Sequence, residues 1–468
     1  GSCGQGGDVF AVLYDALEDR IAAVNGSGLV GSRVDREYYT AQELTKMPLT
    51  GWHAAAVPGA PHAYATIADT FGTLPLGDLL GQSLAYAENG ITVSHTIHEA
   101  ISGARSKLAA GQNTDAYFSD GHPPRLGDRW KMPTLARTIR SFIDGGSDAF
   151  YKGDIVKEIV RASESENGPF GLEEFASHTT DIYDPITVNY RGVDVYETAP
   201  PSQGLIVLEW LNLLESFDLA AMGFGSADAL HTLVETKKLP FADRNKYAGD
   251  PRHIDVPTDD LLSKSFAAKR VTSINPDKSN DTPLAGNLSD GDTSYFCVVD
   301  GMGNAISFIH SLSAVFGSGV VAENTGVILN NRSGRGFTLD EGHPNVIAPG
   351  KKTMHTLNCY LLAQDGKLMG VGGTPGGDRQ PQWNVQTITN LIDFGMTPQE
   401  AVEAPSLPEV QIIPTEDDQR LPHPEKLAAL LQMAQVALDL LESVLELVLV
   451  GDPEVGLVLG FDGLFRCF

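Results

Sequence analysis

The chain has 468 residues, 42% apolar and 20% charged, ordinary proportions for a globular protein long enough to bury a large core. With 60 Asp and Glu against 33 Lys and Arg, its formal net charge of -27 argues against a nucleic-acid partner, whose phosphates need a basic face. That charge does not define a substrate pocket, where a few local cations outweigh the global field.

In chain order, residues 9–14 and 20–24 read as strands flanking a polar turn, and the second runs into Asn25-Gly26-Ser27-Gly28. No secretory signal pattern opens the sequence. Leu79, Leu80, Leu84 and Ala87 fit one face of a helix that ends at Gly90. Pro133 starts another helix, continued by Ile139 and Ile143, and a third carries Ile155, Ile159 and Val160. Pro200-Pro201-Ser202-Gln203-Gly204 stops a strand and opens a buried helix with Ile206, Leu208 and Leu211, serving either as a structural loop or as the wall of a site. His53, His62, His95, His98 and His231 show no paired-ligand spacing; His95 and His98 lack a third ligand, so no metal is expected. The cysteines Cys3, Cys297, Cys359 and Cys467 form no CxxC, and Cys297 and Cys359, in apolar or alternating runs, are expected in the core.

Residues 275–291 are polar and rich in Pro, Gly, Asn and Asp, an exposed loop. Two strands follow, 295–299 and 306–312, joined by the turn Gly301-Met302-Gly303-Asn304, with Thr293 at the outer end of the hairpin. A strand at 357–362 turns at Asp365-Gly366 and returns over 368–371. The next helix carries Val385, Ile388, Leu391 and Ile392 and ends near Gly395; another begins near Pro398 and ends before Pro405. The longest apolar run, 436–450, is interrupted by Asp439, Glu442 and Glu446 and makes a poor membrane span.

Thr293 by itself is a strand-edge threonine. If the bond before it is cut, however, the new α-amine lies within reach of its own hydroxyl and can take the proton, which makes the hydroxyl a nucleophile. The stretch Asp292-Thr293-Ser294-Tyr295 is followed by Phe316-Gly317-Ser318-Gly319, Gly326-Val327-Ile328-Leu329-Asn330-Asn331 and Gly372-Gly373-Thr374-Pro375-Gly376-Gly377. In that order the motifs resemble the γ-glutamyltransferase family, self-processing N-terminal-nucleophile hydrolases that include cephalosporin acylases.

The resemblance implies an α+β fold, a four-layer αββα sandwich. It would be built from a large segment, 1–292, and a small one, 293–468, as one interlocked unit. Cleavage between Asp292 and Thr293 would leave a heterodimer, and a dimer of such pairs is also allowed. Family members carry a helical region ahead of the first strand, so this sequence is expected to begin inside a longer chain. Thr293 would be the nucleophile, Ser311 would support it, and Gly376 and Gly377 would form the oxyanion hole. No cofactor is implied.

Elsewhere the sequence departs from the family's transferases. Gly26, Ser27 and Gly28 stand where an arginine holds the substrate carboxylate, and Arg33 comes too late to replace it. Ser313 replaces an asparagine, Arg332 and Arg335 replace a glutamine and an aspartate, and His355 and Thr356 replace a serine pair. Lys352, Arg332 and Arg335 then read as a cationic set for an anionic acyl group, with ordinary surface charges as the alternative for Arg332 and Arg335; His355 and Thr356 read as site groups or plain strand residues. Asp378 and Gln380 lie beside the oxyanion segment and either bind an acceptor or brace the loop. Near the C-terminus Asp452-Pro453 is followed by Glu454 where the family has arginine.

The implied activity is cleavage of a γ-glutamyl or similar small-molecule amide or peptide, with the acyl group passing to water or to an amino acid or peptide. The alternatives are a glutaryl (cephalosporin) acylase-like amidohydrolase and, from another class, an unprocessed relative that binds peptides without turnover. Nothing in the sequence fixes the compartment.

Overall fold

Two antiparallel sheets lie face to face in the computed structural model of the chain, which describes residues 1–406 apart from 112, 119 and 281–291. The strands are β1 (Asp8–Asp15), β2 (Arg20–Gly26), β3 (Ile91–Thr92), β4 (Arg129–Trp130), β5 (Asp181–Tyr183), β6 (Ile186–Tyr190), β7 (Val193–Glu197), β8 (Asp292–Val299), β9 (Ala305–Ser313), β10 (Cys359–Gln364) and β11 (Lys367–Gly373). One sheet has the order β5-β2-β1-β9-β8 and the other β11-β10-β7-β6, while β3 and β4 pair by themselves.

The residue alternation explains the layering. On β1, Phe10 and Val12 point inward and, with Ala23 and Ile309, meet Cys359, Leu361 and Ala363 of the other sheet and Leu357 just ahead of it. Val9, Ala11 and Leu13 point outward and pack, with Val24, on Ala60 and Ala63 of the helix Ala60–Phe71. With both faces buried, β1 reads as a nearly continuous apolar run. The outer face of the second sheet, Val188, Tyr190 and Val195, is covered by Val207, Leu208 and Leu211 of the helix Gly204–Leu214 and by Val385 and Ile388 of the helix Gln380–Ile392. The result is helix, sheet, sheet, helix, an α+β sandwich of four layers. Strands from before and after residue 292 share both sheets: β1 pairs with β9, and β7 with β10.

The helix Leu76–Asn89 ends at Gly90, whose φ of 84° suits glycine, but Leu79 is 48% exposed. Only Leu80, Leu84 and Ala87 face the neighbouring helix, because a residue one step off that row is turned about 100° away. Cys297 corrects a second expectation. It is exposed on β8, an edge strand on which Phe296, Val298 and Val299 are exposed too, whereas Cys359 is buried. The expected strand at 357–362 begins at Cys359. Of the polar loop only residues 275–280 are described; the apolar run at 436–450 and the Asp452-Pro453-Glu454 stretch lie outside the described residues. Among the described residues no helix is long and apolar enough to cross a membrane.

Candidate active site

Thr293 sits where the β8–β9 register breaks. Asp292 pairs with Ser313 but Ser294 pairs with His310, so two residues of β9, Ser311 and Leu312, lie opposite one of β8. The bulge puts two hydroxyls together: Thr293 Oγ1 donates to Ser311 Oγ at 3.3 Å, and Gln380 Nε2 donates to Thr293 Oγ1 at 3.4 Å. These are loose contacts of the kind that tighten around a bound substrate. Ser311 Oγ also accepts the Ser313 N–H at 2.7 Å. Ser313 holds a left-handed φ of 80°, unusual for a non-glycine residue, and its carbonyl accepts from Arg335 Nη1 at 2.6 Å.

Gln380 brings the glycine segment to the same place. Gly376 and Gly377 have φ of 130° and 58°, and the short turn Gly377–Arg379 leads into the helix Gln380–Ile392. A Cβ on Gly376 would lie 2.7 Å from Trp383 Cζ3. The loop before the helix Gly204–Leu214 braces this turn, for Gln203 Nε2 donates to Gly377 O at 3.1 Å and to Thr356 O at 2.6 Å. Its Oε1 accepts from Arg244 Nη1 at 3.0 Å, and Arg244 also pairs with Asp378.

A cleft of about 530 Å³ adjoins these groups and is lined by, among others, Arg244, Arg332, Arg335, Thr356 and Asp378. Arg332 is 1% exposed. Its Nη1 donates to Thr356 Oγ1 at 3.2 Å, its Nε lies 3.5 Å from Asp8 Oδ2, and neither Nε nor Nη2, both enclosed, has a hydrogen-bond partner. Asp8 opens β1 directly opposite Ser311 and accepts the Gly28 N–H at 2.9 Å. Gly28 can carry no side chain there, since a Cβ would fall 1.6 Å from Val57 O. Burial raises the Asp8 carboxyl to about 6 against the pull of Arg332 and Lys352, and lowers Arg332 to about 10, which leaves it a cation at neutral pH.

Two residues expected in the pocket are elsewhere. Residues 352–355 run along the cleft with Met354 in its lining, and the backbone is tied down by the Lys352 N–H on Asp250 Oδ2 at 2.7 Å and the His355 N–H on Pro201 O. Lys352 is buried and its Nζ lies 3.2 Å from Asp181 Oδ2, away from the cleft lining. His355 is fully buried against Phe10, its Nε2 3.5 Å from Asp8 Oδ2; burial and the nearby Arg332 and Lys352 cations hold it well below the ordinary histidine range. The cationic set therefore reduces to Arg332 and Arg335, joined by Arg244. Arg33 pairs with Glu164 at 2.6 Å on the surface. Sequence reasoning missed Arg244 and Asp8: neither stands in a motif, and their partners Asp378 and Arg332 are distant in the chain. No cluster of metal-ligand side chains occurs among the described residues.

Residues 1–434 match the gamma-glutamyltranspeptidase family. A glutathione hydrolase-like proenzyme of Bacillus subtilis is 35% identical over 404 residues, 86% of this chain and 76% of that protein. An oxamate amidohydrolase proenzyme of Klebsiella pneumoniae is 34% identical over 410 residues, 86% of this chain and 76% of its own. Among solved structures, a cephalosporin acylase from Bacillus halodurans superposes with a TM-score of 0.78 at 32% identity, covering 86% of this chain and 75% of that one.

Proposed function

The chain belongs to the gamma-glutamyltranspeptidase family, and from that premise we propose that it cleaves the amide of a small carboxylate-bearing acyl group, with Thr293 as the nucleophile. It is a self-processing N-terminal-nucleophile enzyme that works through an acyl-enzyme, and not a peptide binder without turnover. In maturation the Thr293 hydroxyl attacks the Asp292 carbonyl, the acyl group shifts from nitrogen to oxygen, and water resolves the ester. The two segments stay together as a heterodimer because both contribute strands to each sheet.

The freed α-amine, with a reference pKa of about 7.7–8.0, then takes the proton of its own hydroxyl as that oxygen attacks the donor carbonyl. It returns the proton to the leaving amine, and water or an acceptor amine releases the acyl group from Thr293. Ser311 and Gln380 orient the hydroxyl. Backbone N–H groups at Gly376 and Gly377 supply donors for the tetrahedral oxyanion.

The observation that carries the donor class is the Arg332 guanidinium, a cation buried in the wall of the cleft. A cation in the cleft wall favours a donor that carries a carboxylate. Lys46, Arg244, Arg332 and Arg335 outnumber Asp340 and Asp378 along the lining, in a chain of net charge -27. A γ-glutamyl donor also needs a carboxylate for its α-ammonium, and of the two in the lining Asp378 is paired with Arg244 and Asp340 accepts from the Thr338 hydroxyl. This favours a glutaryl-type donor over a γ-glutamyl one, in line with the acylase and oxamate relatives.

A panel of glutaryl, γ-glutamyl and uncharged acyl anilides, with Thr293→Ala as control, tests the reading. The glutaryl compound is expected to give the highest kcat/KM, and the control to stay one chain without turnover. A control that matures and hydrolyses at the parent rate, or a parent that prefers uncharged acyl groups, overturns it.

A further inference from the structure

We infer that Asp8 is a positioning residue for donor binding: its buried carboxylate holds the Arg332 guanidinium in the cleft wall, where that cation draws in the donor's carboxylate. The inference rests on the carboxylate-donor reading above and assigns that site its internal support.

The geometry is that of a held cation. Asp8 is at the start of β1, 0% exposed, with Oδ1 tied to the Gly28 N–H at 2.9 Å and Oδ2 3.5 Å from Arg332 Nε. Arg332 is gripped at a second point by Thr356 Oγ1 at 3.2 Å. The Asp8 charge beside Nε and the hydrogen bond at Nη1 hold the planar fork, while Nε and Nη2 are both enclosed and neither has a hydrogen-bond partner. Replacing Asp8 by a neutral side chain would leave the guanidinium attached at Nη1 alone, free to swing about that bond.

The charged and titratable groups around Asp8 identify which one responds to pH. Arg332 and Lys352 approach from the segments that follow β9, His355 from the segment before β10, His310 from β9 and Tyr151 from the helix Pro133–Tyr151. Burial holds His310 down to about 4, which leaves it neutral from pH 5 to 7, and holds His355 well below the ordinary histidine range. Tyr151 is raised, and Arg332 stays charged. Asp8, at about 6, is the group in this set that changes charge there. As pH falls through about 6 it takes a proton and its hold on Arg332 lapses, while a glutaryl carboxylate with an ordinary pKa remains charged.

The test is KM against pH, from 5 to 8, for glutaryl anilide and an uncharged acyl anilide, on the mature parent enzyme and on Asp8→Asn. For the parent, KM for the glutaryl compound is expected to rise about 10-fold as pH falls through the Asp8 transition, with the uncharged compound unaffected. Asp8→Asn is expected to show the high glutaryl KM at every pH, the loss falling on KM more than on kcat and on the glutaryl donor more than on the uncharged one. The parent's own profile needs no substitution, so a variant that fails to mature still leaves the inference exposed to refutation. If the parent prefers the glutaryl donor but its KM is flat with pH, or if Asp8→Asn keeps the parent profile, the Asp8 role is wrong and the donor reading stands. If the parent shows no preference for the glutaryl donor, both fall.

Discussion

Thr293 and Ser311 meet hydroxyl to hydroxyl at 3.3 Å because the β9 bulge sets two residues opposite one. Ser311 Oγ is shared, since it also accepts the Ser313 N–H and so fixes the left-handed turn that leads to Arg335. Removing that oxygen loosens the nucleophile and the cleft wall together. Ser311→Ala is therefore expected to lower kcat about 10-fold, the equivalent of one net hydrogen bond, and to slow conversion to two chains in parallel. Timed denaturing electrophoresis and initial rates on the matured fraction measure the two effects; an unchanged kcat in that fraction would show that Ser311 does not act on the nucleophile.

Gly376 is constrained twice, by a φ of 130° and by Trp383 Cζ3, 2.7 Å from where a Cβ would lie. Gly376→Ala must shift the turn that Gln203 and Gln380 hold against Thr293. If the amides of this turn face the oxyanion, kcat falls by about 100-fold or more while KM changes little. Gly342 has a φ of 80° but no atom near its Cβ position, and Gly342→Ala serves as the control for backbone strain alone. Equal losses in the two variants would remove the special role of Gly376.

The hairpin and its threonine were legible because both signals are local: alternation marks the strands, and the ordered motifs lie on the chain itself. Period says which residues share a face, however, and not whether another layer covers it, which is why Cys297 was expected in the core and lies exposed on an edge strand. Lys352 and His355 were misplaced for a related reason. Matching a family motif locates a residue along the segment but not which side of it faces the cleft. Arg244 and Asp378 are 134 residues apart, and no pattern in a single sequence joins them.

Asp8 also leaves a mark on stability. Its folded-state value is raised from 3.8 to about 6, so the folded protein binds this proton more tightly than the unfolded chain. The contribution is fully present below about 3.8 and is lost as pH rises through about 6, a loss of about 3 kcal/mol by pH 7. Asp8→Asn lacks this titration. In the single-chain Thr293→Ala background, urea unfolding of the parent and Asp8→Asn is expected to diverge by about that amount between pH 4 and 7, in the variant's favour. A pH-independent difference would contradict the burial of an ionisable carboxylate there.

Glu235 and Lys238, one helical turn apart, form an ion pair 2.6 Å long with side chains 2% and 1% exposed. The pair also holds the chain ahead of the proposed cleavage point. Glu235 accepts from the Ser279 hydroxyl and the Asn280 N–H at 3.1 Å each, and Lys238 Nζ donates to Ser279 Oγ at 2.9 Å and Asn280 O at 3.0 Å. Glu235→Ala strands a buried ammonium and is expected to cost about 3–5 kcal/mol, whereas Glu235→Leu with Lys238→Met removes both charges and costs much less. Both proteins lose the Glu235 bond to the Asn280 N–H, so both are expected to mature more slowly at a temperature where each is folded. Urea midpoints and timed electrophoresis separate the two consequences: a double variant that is stable and matures at the parent rate would confine the pair to holding the fold.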